Sequence, residues 1–146
     1  MEEAARLARE GVENGEGGPF GAVVVADGRI LGAACNRVVT ASDPTAHAEI
    51  LAIREACRER ATFHLEGCTI YTTCEPCPMC LAAIHWARLG RVCYAQTRDD
   101  AAAIGFADRR LYAAMATPAV PLEHVPSAAA AEAFRLWQAK PDRTPY

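Results

Sequence analysis

No stretch of the chain approaches the ~20 consecutive apolar residues that a membrane-crossing helix needs, although hydrophobic types make up 51% of its 146 residues. A secretory pattern is missing from the first ten residues as well, where Glu2, Glu3, Arg6, Arg9 and Glu10 scatter mixed charge. These absences predict a cytoplasmic protein. Basic charge is not in excess: 15 Lys and Arg face 18 Asp and Glu, a net charge of −3, and a local pair such as Arg109-Arg110 makes no stripe. Nucleic acid and membrane surfaces are therefore not expected partners. Internal repeats and linkers are lacking too, and this length suits a single domain over residues 1–146 with one hydrophobic core.

What the chain does have is cysteine. The count of 7 is odd, and Cys74, Cys77 and Cys80 are crowded together, which argues against a secreted disulfide framework and towards metal binding. Cys35, Cys57, Cys68 and Cys93 are expected to be small buried hydrophobes.

Periodicity supplies the elements. Ala4, Leu7, Ala8, Gly11 and Val12 recur at helical spacing before the breaker Gly17-Gly18-Pro19. The apolar run 20–25, the turn Asp27-Gly28 and residues 29–35 read as an antiparallel hairpin. After a loop over 36–43, Pro44 is expected to open a helix whose stripe is Ala46, Ile50, Ile53 and Cys57. Residues 68–73 read as a strand, 77–89 as a helix closed by Gly90, and 91–96 as another strand. That strand–helix–strand unit needs a crossover between parallel strands, so the class is α/β with a mixed sheet. Beyond Thr97 the expectation is helix over 99–115 interrupted at Gly105, a short strand over 122–125, and a last helix capped by Ser127.

The chemistry lies in His47-Ala48-Glu49 at one helix start and Pro76-Cys77-Pro78-Met79-Cys80 at another, the H-x-E…P-C-x-x-C pattern of zinc deaminases. Side chains three apart on a helix diverge by only ~60°, so Cys77 and Cys80 can reach one ion together with His47. Two sulfurs and one imidazole leave a tetrahedral zinc with an open position, where water is held and its pKa lowered. Helix N-termini at this spot favour thiolate over thiol. Glu49 is read as the proton shuttle, not a ligand.

Other readings of these residues exist. Cys74 at the same three-residue step offers a closed, structural site, although Pro76 starting the helix leaves Cys74 on the strand. An iron–sulfur run would want a fourth cysteine where Ile84 stands. A thioredoxin-like dithiol leaves His47 and Glu49 without a role. His64, His85 and His124 have no partner at ligand spacing and are read as surface or packed histidines. Trp86 and Phe20 suit either core or pocket wall, and Asn36 suits simple turn chemistry.

Gly18-Pro19-Phe20-Gly21-Ala22, Asn36, residues 43–50, Cys74-Glu75-Pro76-Cys77-Pro78-Met79-Cys80 and Ile84-His85-Trp86-Ala87-Arg88 together resemble the cytidine-deaminase-like superfamily. More narrowly, with Gly105-Phe106-Ala107-Asp108 and the terminal Tyr146, they resemble its bacterial guanine deaminases. The resemblance spans essentially the whole chain. It implies a three-layer α/β/α fold around a five-stranded mixed sheet and hydrolysis of guanine to xanthine and ammonia. It also implies one zinc per subunit on His47, Cys77 and Cys80, with Glu49 moving protons. Asn36, Ala48 and Asp108 are implied to contact the base, Asp108 also assisting proton transfer, with Trp86 and Phe20 as candidate walls. Tyr146 is implied to close the pocket, in a homodimer whose C-terminal segments are exchanged. Ala107 departs from an acidic pair common after Gly-Phe, and Ala82 from a common glycine; neither removes a proposed ligand.

An ionised Asp108 suits guanine, which presents N–H donors around its amino group, better than adenine, whose N1 is an acceptor. The alternatives are the same chemistry on tRNA adenosine, cytosine or an aminated triazine, and a non-catalytic zinc or redox module. A panel of bases separates the first, and the effect of Glu49→Gln on turnover separates the second.

Overall fold

A computed structural model of the chain describes residues 1–116, 127–139 and 141. The first helix, α1 (Glu2–Glu13), lays Ala4, Ala8 and Gly11 against the sheet, while Arg6 on its outer face is bracketed by Glu3 at 2.5 Å and Glu10 at 2.6 Å. Strands β1 (Gly21–Ala26) and β2 (Arg29–Cys35) form the expected hairpin. Asp27 and Gly28 turn it at φ 50° and 76°, the left-handed pair that matches strand twist.

A single helical turn, α2 (Val38–Ala41), occupies the segment expected to be loop, and α3 (Ala48–Arg60) begins later than Pro44. The delay has a local cause. The Asp43 carboxylate accepts from the Thr45 backbone N–H at 2.8 Å and from its hydroxyl at 2.7 Å, and the Asp43 carbonyl accepts from the Ala46 N–H at 3.1 Å. That side-chain turn holds 43–46 out of the helix and leaves His47 as its N-cap.

The buried face of α3 is Ala48, Ala52, Ile53 and Ala56, with Ile50 and Cys57 only half-buried, so the stripe read from the sequence is rotated. Close approach of backbones explains it. A Cβ on Gly32 of β2 would lie 2.2 Å from the Ala52 carbonyl oxygen, so helix and strand touch where only alanines fit. The opposite face is packed alike, since a Cβ on Gly21 would lie 2.1 Å from the Ala4 carbonyl oxygen of α1. Helices thus cover both faces of the sheet, and Ala22, Val24, Leu65, Ile70 and Ile84 pack with the α3 alanines into the core.

Strand β3 (Thr69–Cys74) runs antiparallel beside β1, and β4 (Arg91–Gln96) runs parallel beside β3, giving the order β2-β1-β3-β4. Helix α4 (Pro78–Trp86) makes the crossover between the parallel strands. It stops short of Leu89 because Arg88 turns left-handed at φ 55°. The helical tail is split as expected, into α5 (Arg98–Ala103) and α6 (Arg109–Ala116) around Gly105 at φ 98°, and α7 (Ala128–Ala139) follows Ser127.

The class is therefore α/β with a mixed sheet, but four strands are present among the described residues where five were expected. The strand expected over 122–125 lies outside the described residues, as do His124 and Tyr146. Because β1 runs opposite to its neighbours, its start meets the ends of β2, β3 and β4 at one edge of the sheet. The first turns of α3 and α4 open at that edge.

Candidate metal centre and catalytic pocket

His47 is extended at φ −69° and ψ 151°, the N-cap of α3. Its ring therefore projects past the helix end. Glu49 follows inside the first turn, so the usual divergence of side chains two apart on a helix does not separate them. Cys77 has the same role in α4, with Pro78 locking the first helical position and Cys80 in the first turn. Two N-caps thus face each other across the sheet edge.

His47 Nδ1 lies 3.7 Å from Cys77 Sγ and 3.4 Å from Cys80 Sγ, and all three donor atoms fall within 4.8 Å of one another. Tetrahedral zinc with Zn–S near 2.3 Å and Zn–N near 2.1 Å would hold its donors about 3.6 Å apart. The distances and the donor set both fit that ion. Cys74, the candidate for closing the site, is not part of the cluster: its thiol donates to the Thr97 carbonyl at 3.6 Å, at the end of β3.

The electrostatics suit a cation as well. Hydrogen bonding from the Cys80 thiol, helped by His47, pulls Cys77 down to about 4, so it is a thiolate at neutral pH. The same contact pushes Cys80 upwards, and the Cys77 sulfur holds His47 above its ordinary value. A proton shared among two sulfurs and an imidazole is the charge that a divalent cation replaces. Glu49 is 6% exposed, and burial raises its carboxyl above the usual range, nearer to the pH at which a proton carrier works best.

A cavity of about 320 Å³ opens over these groups. His47, Glu49, Cys77, Asn36, Phe20 and Asp108 all line it, so the structure brings together residues 88 positions apart in the chain (108 − 20). Asn36 is buried, and its Oδ1 accepts from the Gly18 N–H at 3.3 Å and the Val38 N–H at 3.2 Å. Those two donors fix the amide orientation and leave the Nδ2 hydrogens for a ligand. Phe20 stands edge-on to Phe106, ring centres 5.0 Å apart at 86°.

Ala48 and Trp86 are not brought to this cavity. Ala48 is fully buried in the core, and Trp86 is 67% exposed and lines a separate groove with Ile50, Ile53 and Phe63 between α3 and α4. Trp86 sits at the far end of α4 from Cys77, one helix length away from the metal corner. Of the other expected packed residues, Cys35 and Cys68 are buried and Cys57 and Cys93 half-buried; His64 packs against Phe63, and His85 is exposed.

Sequence reasoning missed several wall residues: Cys74, Glu75, Arg98, Phe106, Arg110 and Leu111. Glu75 pairs with Arg98 through its side chain and also accepts from the Arg98 backbone N–H at 3.2 Å. Glu75 is in the metal-loop motif and so was within reach of motif reasoning; Arg98 carries no such signal, since an arginine opening a short helix looks like a solvated charge.

The cytidine and deoxycytidylate deaminase zinc-binding region matches residues 1–96, which include every metal ligand and Glu49. Guanine deaminase from Bacillus subtilis is 46% identical over 142 residues, 94% of this chain and 91% of that protein. Its X-ray structure superposes with a TM-score of 0.94 at 44% identity, covering 99% of this chain and 95% of that one. A guanine deaminase structure from Nitrosomonas europaea gives a TM-score of 0.71 at 34% identity over 75% of this chain and 63% of that one. The tRNA-specific adenosine deaminase of Aquifex aeolicus is 48% identical over a shorter stretch, 62% of this chain and 60% of that protein. A three-donor centre with zinc geometry, a buried carboxyl beside it and a matching zinc-binding region over two-thirds of the sequence have one reading in common: the chain belongs to the cytidine and deoxycytidylate deaminase zinc-binding family, a zinc-dependent hydrolase.

Proposed function

We propose that this enzyme hydrolyses guanine to xanthine and ammonia. The observation that carries the reading is that one cavity of about 320 Å³ is lined by two of the three metal donors, His47 and Cys77, together with Glu49, Asn36 and Asp108. That volume is at the small end of the ~300–1,000 Å³ typical of ligand sites, suited to a free base. The near-full-length similarity to a guanine deaminase, at 46% identity, supports it.

His47, Cys77 and Cys80 would hold zinc, which supplies Lewis-acid activation of the attacking water. The residues of the chain do the rest. Phe20 and Phe106 offer aromatic surface to the plane of the base, Asn36 donates to a ring or carbonyl acceptor, and Asp108 accepts from N–H groups around the amino-bearing carbon. Glu49 takes one proton of the water and delivers it to the adjacent ring nitrogen as the oxygen adds to the amino-bearing carbon. It then takes the remaining proton from the new hydroxyl and passes it to the amino group, so that the C–N bond breaks, ammonia leaves and the carbonyl of xanthine forms. Asp108 assists in moving these protons. Burial of Glu49 keeps the transfers out of solvent.

The same reading takes the protein as a cytoplasmic enzyme of purine metabolism, one domain acting on a nucleobase. The exposed Trp86 and the half-buried Ile50 of the α3–α4 groove support a homodimer, with exchanged C-terminal segments placing Tyr146 at the neighbour's pocket. The test is a panel of guanine, adenine, cytosine, ammeline-type triazines and tRNA with zinc-replete protein, following ammonia release. Guanine should be turned over fastest; preference for any other substrate by tenfold or more rejects the reading.

A further inference from the structure

The wall that carries Asp108 has little to hold it in place. None of residues 104–115 is buried, and Ile104, Phe106 and Leu111 are 60%, 47% and 42% exposed. Gly105, in its left-handed conformation, has open space around it. Hydrophobic packing, which locates the metal corner, therefore does not locate this segment.

Specific side-chain contacts take over. Upstream of Asp108, Phe106 meets Phe20 edge-on, and its N–H donates to the Ala101 carbonyl at 2.9 Å. Downstream, Tyr112 presents its ring face to the Arg98 guanidinium, 4.7 Å from the ring centre. Asp108 and Tyr112 are one helical turn apart at the start of α6, so an anchored Tyr112 sets where Asp108 stands. An Arg109–Asp99 pair at 3.2 Å adds a third link, but both partners are more than 70% exposed and such pairs are weak.

Arg98 is itself well fixed. It is the first residue of α5, whose N-cap Thr97 and Asp100 form a reciprocal capping box, with Thr97 N–H and hydroxyl donating to Asp100 at 2.8 and 2.7 Å. Its guanidinium is ion-paired to Glu75, and the Glu75 N–H donates to the Gln96 carbonyl at 2.8 Å. Glu75 lies two residues before Cys77. One guanidinium therefore connects the metal loop to the helix that directly follows Asp108.

We propose that Arg98 is a positioning residue that, through Glu75 on one side and the Tyr112 ring on the other, sets the distance between Asp108 and the metal corner and so selects the base. The inference rests on the pocket's being a guanine site. It assigns to the Glu75–Arg98–Tyr112 chain the job that core packing does elsewhere in the molecule.

The experiment compares Arg98→Ala, Tyr112→Leu and Tyr112→Phe in zinc-replete protein, with metal content measured for each. Tyr112→Leu is expected to raise KM for guanine about five- to tenfold and, because Asp108 also assists proton movement, to lower kcat by a smaller factor. Tyr112→Phe, which retains the ring face, should recover most of that loss. In an Asp108→Asn background Tyr112→Leu should add almost nothing, because the two act on one contact. Hydrogen exchange without substrate should show faster exchange of amides 104–112 in Arg98→Ala and Tyr112→Leu. Equal damage from Tyr112→Phe and Tyr112→Leu, additive effects with Asp108→Asn, or unchanged exchange would each overturn the proposal. Wild-type protein inert on guanine would reject the substrate reading alone, while the exchange comparison would still decide whether Arg98 holds the wall.

Discussion

The two sides of the pocket are built on different physics. The metal corner consists of two helix N-caps set on the sheet by backbone-to-backbone contact, with Gly32 against Ala52 and a core of alanines and small aliphatics behind them. The facing wall, residues 98–112, is half-buried at most apart from Ala101 and is held by a capping box, an ion pair and two ring contacts. A corner that must keep three donors within a few tenths of an ångström needs the stiffness of a close-packed interior. A wall that selects among similar bases can be made of side-chain contacts, each of modest strength.

The comparison is broken most severely at the corner. Cys77→Ala should abolish both zinc retention and turnover, because the two remaining donors cannot hold the ion; metal analysis and ammonia release read the two losses. Glu49→Gln should keep zinc yet lower kcat about 10²- to 10⁴-fold, the usual worth of general acid–base help. Near-normal turnover by that variant would remove Glu49 from the mechanism. Gly32→Ala should destabilise the protein by about 1–3 kcal/mol in denaturant melts, since the new methyl carbon meets helix backbone with no flexible atom to yield.

Effects at the wall should be smaller. Asp108→Asn should raise KM for guanine about tenfold without loss of zinc, measured by steady-state kinetics and metal content. The Glu75–Arg98 pair supplies the mildest perturbation. Arg98 holds the Glu75 carboxyl below its ordinary 4.5, so the stability it contributes is present above that value and is lost as pH falls through the depressed one. The melting-temperature gap between wild type and Arg98→Ala should then be constant from neutral pH to the ordinary carboxylate range and shrink below it. With the pair partly exposed, the gap itself should be small.

How much could be read in advance follows the same division. The hairpin at Asp27-Gly28, the strand Arg91–Gln96 and the helices on either side of Gly105 were readable because each is set by neighbours in the chain. The start of α3 was misplaced because one Asp43 side chain outbid Pro44 for the backbone, a competition that residue types alone do not resolve. Its buried stripe was misplaced because helix-on-strand approach at Gly32 selects alanine over bulkier residues. Trp86 remained ambiguous by itself and is found in a groove remote from the metal corner.

Sequence alone determined the donor set, because an imidazole and two thiols at those spacings, each next to a helix start, have few chemical uses. It also determined the pairing of β1 with β2 and the parallel step from β3 to β4. Only tertiary structure decided that Cys74 would turn away to Thr97, that the Asn36 side chain would be tied through Oδ1 to Gly18 and Val38 in the cavity wall, and that Glu75, Arg98 and Tyr112 would meet. Those outcomes depend on groups 2 to 37 positions apart competing for hydrogen bonds and charge partners, and such competition is settled by distance in space, which no local pattern encodes.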